Sequence, residues 1–182
     1  IASMLNVTRA TLRSDLAILT MTGILDARPK VGYFYSGINK LNLVGDDIKN
    51  KKVEEIMSIP VIAKKDDSLY EVIVNMFLSD VGSIFIIDEE ESLCGIVSRK
   101  DLLKATIGGA DMNKMPIGMI MTRTPNIITV EKEESVIIVA KKIIEHEIDS
   151  IPVVENIDGK TKVVGKISKT NITRLFLEIV DN

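Results

Sequence analysis

The chain has one cysteine, one histidine and no tryptophan among its 182 residues, and each scarcity closes off a class of chemistry. Cys94 alone cannot make an intrachain disulfide; it suits a reducing cytoplasm, where a small thiol on a buried strand needs no further role. One histidine, His146, beside one cysteine cannot assemble a zinc site of familiar spacing. His146 falls near the C-terminus of a predicted helix, where its partial charge suits the helix dipole. No apolar run approaches about 18 residues, so neither a membrane-spanning helix nor a secretory leader is expected. The carboxylates at Glu89, Glu90 and Glu91 crowd a predicted hairpin tip, where solvation is the expected state. No catalytic constellation emerges, and an enzyme is not expected.

What is present is a well-mixed globular composition, 46% apolar and 27% charged, at a length that suits two compact units. The net charge of −3 is unevenly spread. Residues 1–37 hold Arg9, Arg13, Arg28 and Lys30 against Asp15 and Asp26, so this head is basic and the remainder acidic. A polyanion would meet the head.

The first five residues already follow a helical pattern, which predicts the end of a short helix and residues upstream of Ile1. Asn6 and Val7 form a turn, and Thr8 is a fitting N-cap for a second helix that reaches about Thr22. Leu12, Leu16 and Leu19 share one face of that helix, while Thr8, Arg9, Thr11, Arg13 and Ser14 crowd its exposed early turns. Guanidinium groups there suit phosphates and guanine edges, and the helix N-terminus adds free amide donors. Two short strands follow, Ile24–Arg28 and Tyr33–Tyr35, with Lys30 at the turn between them. The stretch NVTRATLRSDLAILTMTGILDARPKVGYFY resembles the winged helix-turn-helix of bacterial transcriptional regulators. That resemblance implies a recognition helix over about Thr8 to Thr22, here in a truncated head spanning residues 1–37. A polar linker is expected over 38–52.

From Val53 onward the chain reads twice. Leu69, Val72, Ile73, Met76 and Phe77 are matched 67 residues later by Val136, Val139, Ala140, Ile143 and Ile144, the pattern of a helix with one buried face. The strands Ile84–Ile87 and Ile151–Val154 keep the same offset, and a longer second hairpin turn raises it to 70 at Gly95 and Gly165. A final helix carries Ile172, Leu175, Phe176 and Ile179 as its apolar positions. Each copy reads strand, helix, strand, strand, helix, too small to cover its sheet alone, so two copies must pack with approximate twofold symmetry.

The openings EEIM and GMIM, the strands SIFIID and SIPVVE, and the endings GIVSRKD and GKISKTN are similar to tandem cystathionine-beta-synthase (CBS) domains, the Bateman module. The expected fold class is α/β (α+β), a CBS pair with CBS domain 1 over 53–107 and CBS domain 2 over 117–180. Where strand meets helix, the Ser98 hydroxyl, helix amides and Asp101 carboxylate converge, and a carboxylate can accept from both hydroxyls of a ribose. The family likeness implies an adenosine-containing ligand in the clefts between copies: ATP, ADP or AMP, ahead of S-adenosylmethionine. It also implies adenine against Val61, Ile62 and Ala63 and near Ser83. Some members carry a basic residue before the xPV strand for phosphate; here Gly82 and Ser83, or Asp149 and Ser150, stand there. Phosphate contact is therefore expected from Arg99, Lys100, Lys169 or a partner subunit.

In the second copy, Ser168 is kept and the Asp becomes Asn171. A neutral acceptor binds more weakly than a charged one by about 1 kcal/mol, so the Asp101 cleft is expected to dominate. The order of head and pair, with its SRKDLLKATIG ending, resembles bacterial repressors of gluconeogenic genes. The expected function is a homodimeric repressor that reads a double-stranded operator and senses an adenine nucleotide. The alternative is an adenosine-responsive module that controls a partner protein or enzyme without binding DNA.

Overall fold

Thr8 starts the first helix by accepting the Thr11 amide on its hydroxyl at 3.1 Å, and α1 runs over Arg9–Met21 to a C-cap at Thr22. Leu12, Leu16 and Leu19 form its half-buried face, as their spacing predicts. Gly23, at φ 73°, turns the chain into β1 (Leu25–Arg28), which pairs antiparallel with β2 (Gly32–Tyr35). Lys30 sits at the tip with φ 66°. The computed structural model describes Met4, residues 7–35 and residues 48–181, except the side chains of Arg9, Val180 and Asp181, and divides into units Ile1–Asp47 and Ile48–Asn182. The short helix expected before Asn6, apart from Met4, and most of the expected linker lie outside the described residues.

In the second unit the first repeat comprises α2 (Val53–Ile56), β3 (Ile62–Lys64), α3 (Leu69–Leu78), β4 (Ser83–Ile87), β5 (Leu93–Ser98) and α4 (Arg99–Ile107). The second follows with a 3-10 turn (Ile117–Met119), β6 (Thr122–Arg123), α5 (Val136–Glu145), β7 (Ser150–Ile157), β8 (Lys160–Ser168) and α6 (Lys169–Asp181). Ser68 starts α3 reciprocally: its hydroxyl accepts from the Glu71 amide while the Glu71 carboxylate accepts from the Ser68 amide. The Ser68 amide and the Ser68 hydroxyl both donate to that carboxylate, at 2.9 and 2.8 Å, and hold the Glu71 carboxyl below its ordinary pKa.

The sheets show an exchange between the repeats. The first sheet runs β3-β4-β5-β6, so its last strand comes from the opening of the second repeat. Reciprocally, Ser58 from the opening of the first repeat bridges to Lys166 on β8, while Val130 pairs in parallel with Val153 on β7. The core follows the exchange. Val53 buries with Val139, Ile143, Ile151 and Ile167, whereas Ile117 buries with Leu69, Val72, Ile84 and Val97. Gly95 and Gly165 permit this crossing, since a Cβ on either would run into the Met121 or the Met57 side chain. A third cluster, Phe85, Leu93 and Val154, closes the seam between repeats.

The helical periodicity overstates the core at two positions, Phe77 and Ile144. Leu69, Val72, Met76, Val136, Val139 and Ile143 are buried, but Phe77 is 80% exposed and Ile144 72%; Phe176 on α6 is 52% exposed. Their apolar stripe is wider than the sheet it covers, and the surplus opens onto a groove in each repeat: α3 against α4, and α5 against α6. The acidic hairpin tip is also more than a solvated run. Glu90 pairs with Lys160 at 3.1 Å and Glu91 with Lys162 at 2.7 Å, both across the repeat boundary. The Lys162 hydrogen bond draws the Glu91 carboxyl below its ordinary pKa.

Candidate functional site

β5 ends where α4 begins, and the turn is fixed by Ser98. The Ser98 hydroxyl accepts from the Asp101 amide at 3.3 Å and donates to Asp101 Oδ2 at 2.5 Å, while the Ser98 amide donates to the same oxygen at 2.9 Å. Oδ2 is therefore occupied by capping. Oδ1 accepts no hydrogen bond among the described residues. Asp101 is among the residues lining a cleft of about 420 Å³, with Ser98, Arg99, Lys100, Gly82, Ser83, Ile96, Thr122, Ile127, Ile128 and Ser150.

Both repeats build this cleft. Ser83 stands opposite Ser98 in the first sheet, and Ser150 stands opposite Ser168 in the second. The hydroxyls of Ser83 and Ser150, each under 8% exposed, hydrogen-bond at 2.6 Å across the boundary. The row Ser98, Ser83, Ser150, Ser168 thus runs from one helix cap to the other.

Val61, Ile62 and Ala63 are placed elsewhere. Ala63 is buried in the first repeat's core, and none of the three lines the Asp101 cleft. Its apolar wall is Ile127 and Ile128, which lie 67 residues after Pro60 and Val61. The strand expected to hold adenine is replaced there by its counterpart from the other repeat, because the cleft lies between copies rather than within one. Of the residues expected to meet phosphate, Arg99 donates from Nε to the Val81 carbonyl at 3.1 Å and faces Asp80 at 3.4 Å, while Lys169 pairs with Asp149 at 2.7 Å. Lys100 lines the cleft and has no such anchor among the described residues.

The Asn171 turn repeats the cap with a different outcome. Asn171 Oδ1 accepts from the Ser168 amide and hydroxyl at 3.0 and 2.6 Å. Its Nδ2 donates to the Ile56 carbonyl at 2.8 Å and the Ser58 hydroxyl at 2.7 Å. The side chain is 7% exposed and both polar atoms are engaged, so Asn171 is a fastening rather than an open acceptor. Nearby, burial pushes the Lys166 ammonium below its ordinary pKa.

In the head, Thr8 and Thr11 share a hydrogen bond between hydroxyls at 2.8 Å, and the Ser14 hydroxyl donates to the Thr11 carbonyl at 2.9 Å. Thr11, Arg13 and Ser14 are exposed on α1, Arg9 belongs to its first turn, and Lys30 is exposed on the wing. Arg28, a further cation of the basic head, stacks on Phe34 at 4.9 Å from the ring centre. His146 is the C-cap of α5, and Cys94 lies half-buried on β5 with its thiol pushed up by burial. Among the described residues no cluster of His, Cys, Asp and Glu could hold a metal, and no helix is long and apolar enough to cross a membrane.

Residues 53–108 and 117–178 match the CBS domain family, and residues 1–34 match a helix-turn-helix (HTH) domain family. Over 182 residues the chain is 46% identical to the transcriptional repressor CcpN of Bacillus subtilis (strain 168) and covers 86% of that protein. The CBS domain pair of protein MJ0100, solved in complex with 5′-methylthioadenosine and S-adenosyl-L-methionine, is 33% identical with a TM-score of 0.61, the match covering 70% of this chain and 97% of that one. A CBS domain protein of Pyrobaculum aerophilum complexed with AMP shares the fold at 22% identity and a TM-score of 0.61, over 72% of this chain and all of that one.

Proposed function

Because the chain belongs to the CBS domain family and joins its pair to a helix-turn-helix head, we propose that it is a DNA-binding transcriptional repressor of carbon-metabolism genes whose CBS pair senses an adenine nucleotide. It acts as a regulator and not as an enzyme. The observation that carries the sensing role is the unengaged Oδ1 of Asp101, a residue that lines a cleft shared by both repeats. An anionic acceptor with two lone pairs free suits the paired hydroxyls of a ribose. Ile96, Ile127 and Ile128 supply an apolar wall for a purine, and Ser83 and Ser150 a polar floor. The relative solved with two adenosine compounds favours this ligand class.

In this reading Thr8, Arg9, Thr11, Arg13, Ser14 and Lys30 meet the operator, with α1 in the major groove and Lys30 on a backbone phosphate. Val61, Ile62 and Ser168 belong to the second, subordinate cleft, where Asn171 holds the turn rather than offering a free acceptor. A second copy of the chain covers the α3/α4 and α5/α6 grooves, giving the two half-site readers that an operator needs. Titrating the protein onto duplex DNA across a salt series, with and without ATP, ADP or AMP, tests the proposal. A steep log–log salt slope that shifts with nucleotide supports it; a slope near zero would leave a module that controls a partner protein.

A further inference from the structure

The two repeats also differ at the other end of β5, away from its Ser98 cap. There Lys65, Asp66, Asp88, Cys94 and Arg123 are among the residues lining a cavity of about 490 Å³, which shares no lining residue with the Asp101 cleft. In the second repeat the same place is neutralised from within. Lys132, 67 residues after Lys65, pairs with Glu155 at 2.8 Å. That hydrogen bond, with the charges of Glu155, Glu133 and Glu54, holds the Lys132 ammonium above its ordinary pKa. In the first repeat each of these carboxylates is turned away, shortened or missing. Asp88 stands in place of Glu155, and its Oδ1 accepts from the Glu90 and Ser92 amides at 3.0 and 2.9 Å. Asp66 stands in place of Glu133, and Gly118 in place of Glu54, where a Cβ would come within 2.9 Å of the Lys65 carbonyl. A cation is added as well, since Arg123 stands where the first repeat's opening has Ile59. Arg123 donates from Nη2 to the Gly118 carbonyl at 2.8 Å, and neither it nor Lys65 forms an ion pair with any described residue. Besides burial, the charges of Asp88, Lys65 and Arg123 all reach the Cys94 thiol, so these groups converge on one cavity.

We propose that this cavity is an anion site separate from the nucleotide cleft, and that its ligand is a small phosphate monoester carrying hydroxyl groups. A guanidinium and an ammonium together match a dianion, the first through paired N–H donors and the second as a point charge. A monocarboxylate would leave one of the two cations unmatched. The Asp66 carboxylate, which accepts no hydrogen bond among the described residues, and the second oxygen of Asp88 can accept from hydroxyls on the rest of the molecule. Because Arg123 is exposed, the expected affinity is roughly millimolar.

Cys94 is the one cysteine of the chain and lines the cavity, so its alkylation by iodoacetamide reports on this site. In the full chain, inorganic phosphate should slow that alkylation saturably and by roughly threefold, because a dianion beside the thiol lowers its thiolate fraction. Sodium chloride at equal ionic strength should not. Glycerol 3-phosphate should protect at lower concentration than propyl phosphate, which lacks the hydroxyls. Lys65→Gln and Arg123→Ile should each abolish the phosphate effect, the second by installing the residue that stands at the matching position, Ile59. An alkylation rate indifferent to phosphate, or protection that survives either substitution in a folded variant, overturns the anion site. Equal protection by glycerol 3-phosphate and propyl phosphate overturns the hydroxyl-bearing ligand.

Discussion

The two repeats carry the same serine-capped turn at the same place in the fold, one ending in Asp101 and the other in Asn171. A single exchange of oxygen for an amide nitrogen separates an open acceptor from a closed fastening. Internal duplication supplies two equivalent positions, and the equivalence can be broken by hydrogen-bond polarity alone, with no change of backbone. The same comparison covers the grip between repeats: the openings swap places symmetrically, but among the described residues the helix-cap side chain hydrogen-bonds the swapped opening only at Asn171.

The largest effect should come from the seam itself. Phe85 is fully buried where the repeats meet, and Phe85→Ala should cost about 3–5 kcal/mol, read as a lowered midpoint of urea unfolding. A single transition that shifts as a whole would mean that the repeats unfold together; two separated transitions would break the picture of interlocked halves.

Next come the two caps. Asp101→Ala should weaken nucleotide binding by roughly tenfold to a hundredfold, because a charged acceptor is lost. Asn171→Ala should leave affinity for the dominant cleft nearly intact and instead lower stability by about 1–3 kcal/mol, since the part-buried Ile56 carbonyl loses its donor. Equal losses of affinity in calorimetry would erase the distinction between the clefts. On the head, Arg13→Ala should reduce the log–log salt slope of DNA binding by about 1 and leave nucleotide binding alone.

The smallest effect concerns the hairpin tips. Glu91 is held ionised by Lys162, so its folded-state pKa lies below its unfolded one, and the pair contributes above the unfolded value and is lost as pH falls through the folded value. Melting curves of the protein and of Lys162→Ala should therefore differ slightly near neutrality and converge in acid. High salt should close the same gap, as expected of exposed pairs.

Much of this was legible in the residues. The 67-residue offset places Ser83 against Ser150 and α3 against α5, and Thr8 announces α1. Periodicity reports which residues share a face, so it found the helices and their buried stripes. It does not report what covers that face, which is why Phe77 and Ile144 fall in a buried pattern yet stand exposed. The exchange of openings was not legible either, because Ser58 meets Lys166 across more than a hundred residues of intervening chain and no local pattern records that pairing. The same exchange decides which strand lines the Asp101 cleft, where Ile127 and Ile128 stand and Val61–Ala63 do not. The polarity of Asn171 was read as a weaker acceptor because its donor side acquires meaning only once Ile56 and Ser58 are brought beside it.

The crossing of the openings has a further consequence during synthesis. Val53, Ile56 and Met57 leave the ribosome early, yet the strand and core they complete end at Ser168. At about 5–20 residues per second, that apolar segment waits several seconds for its partner. A nascent chain stalled between the repeats would hold a first sheet without its last strand and an orphaned segment with nowhere to bury, a natural client for a chaperone until translation resumes.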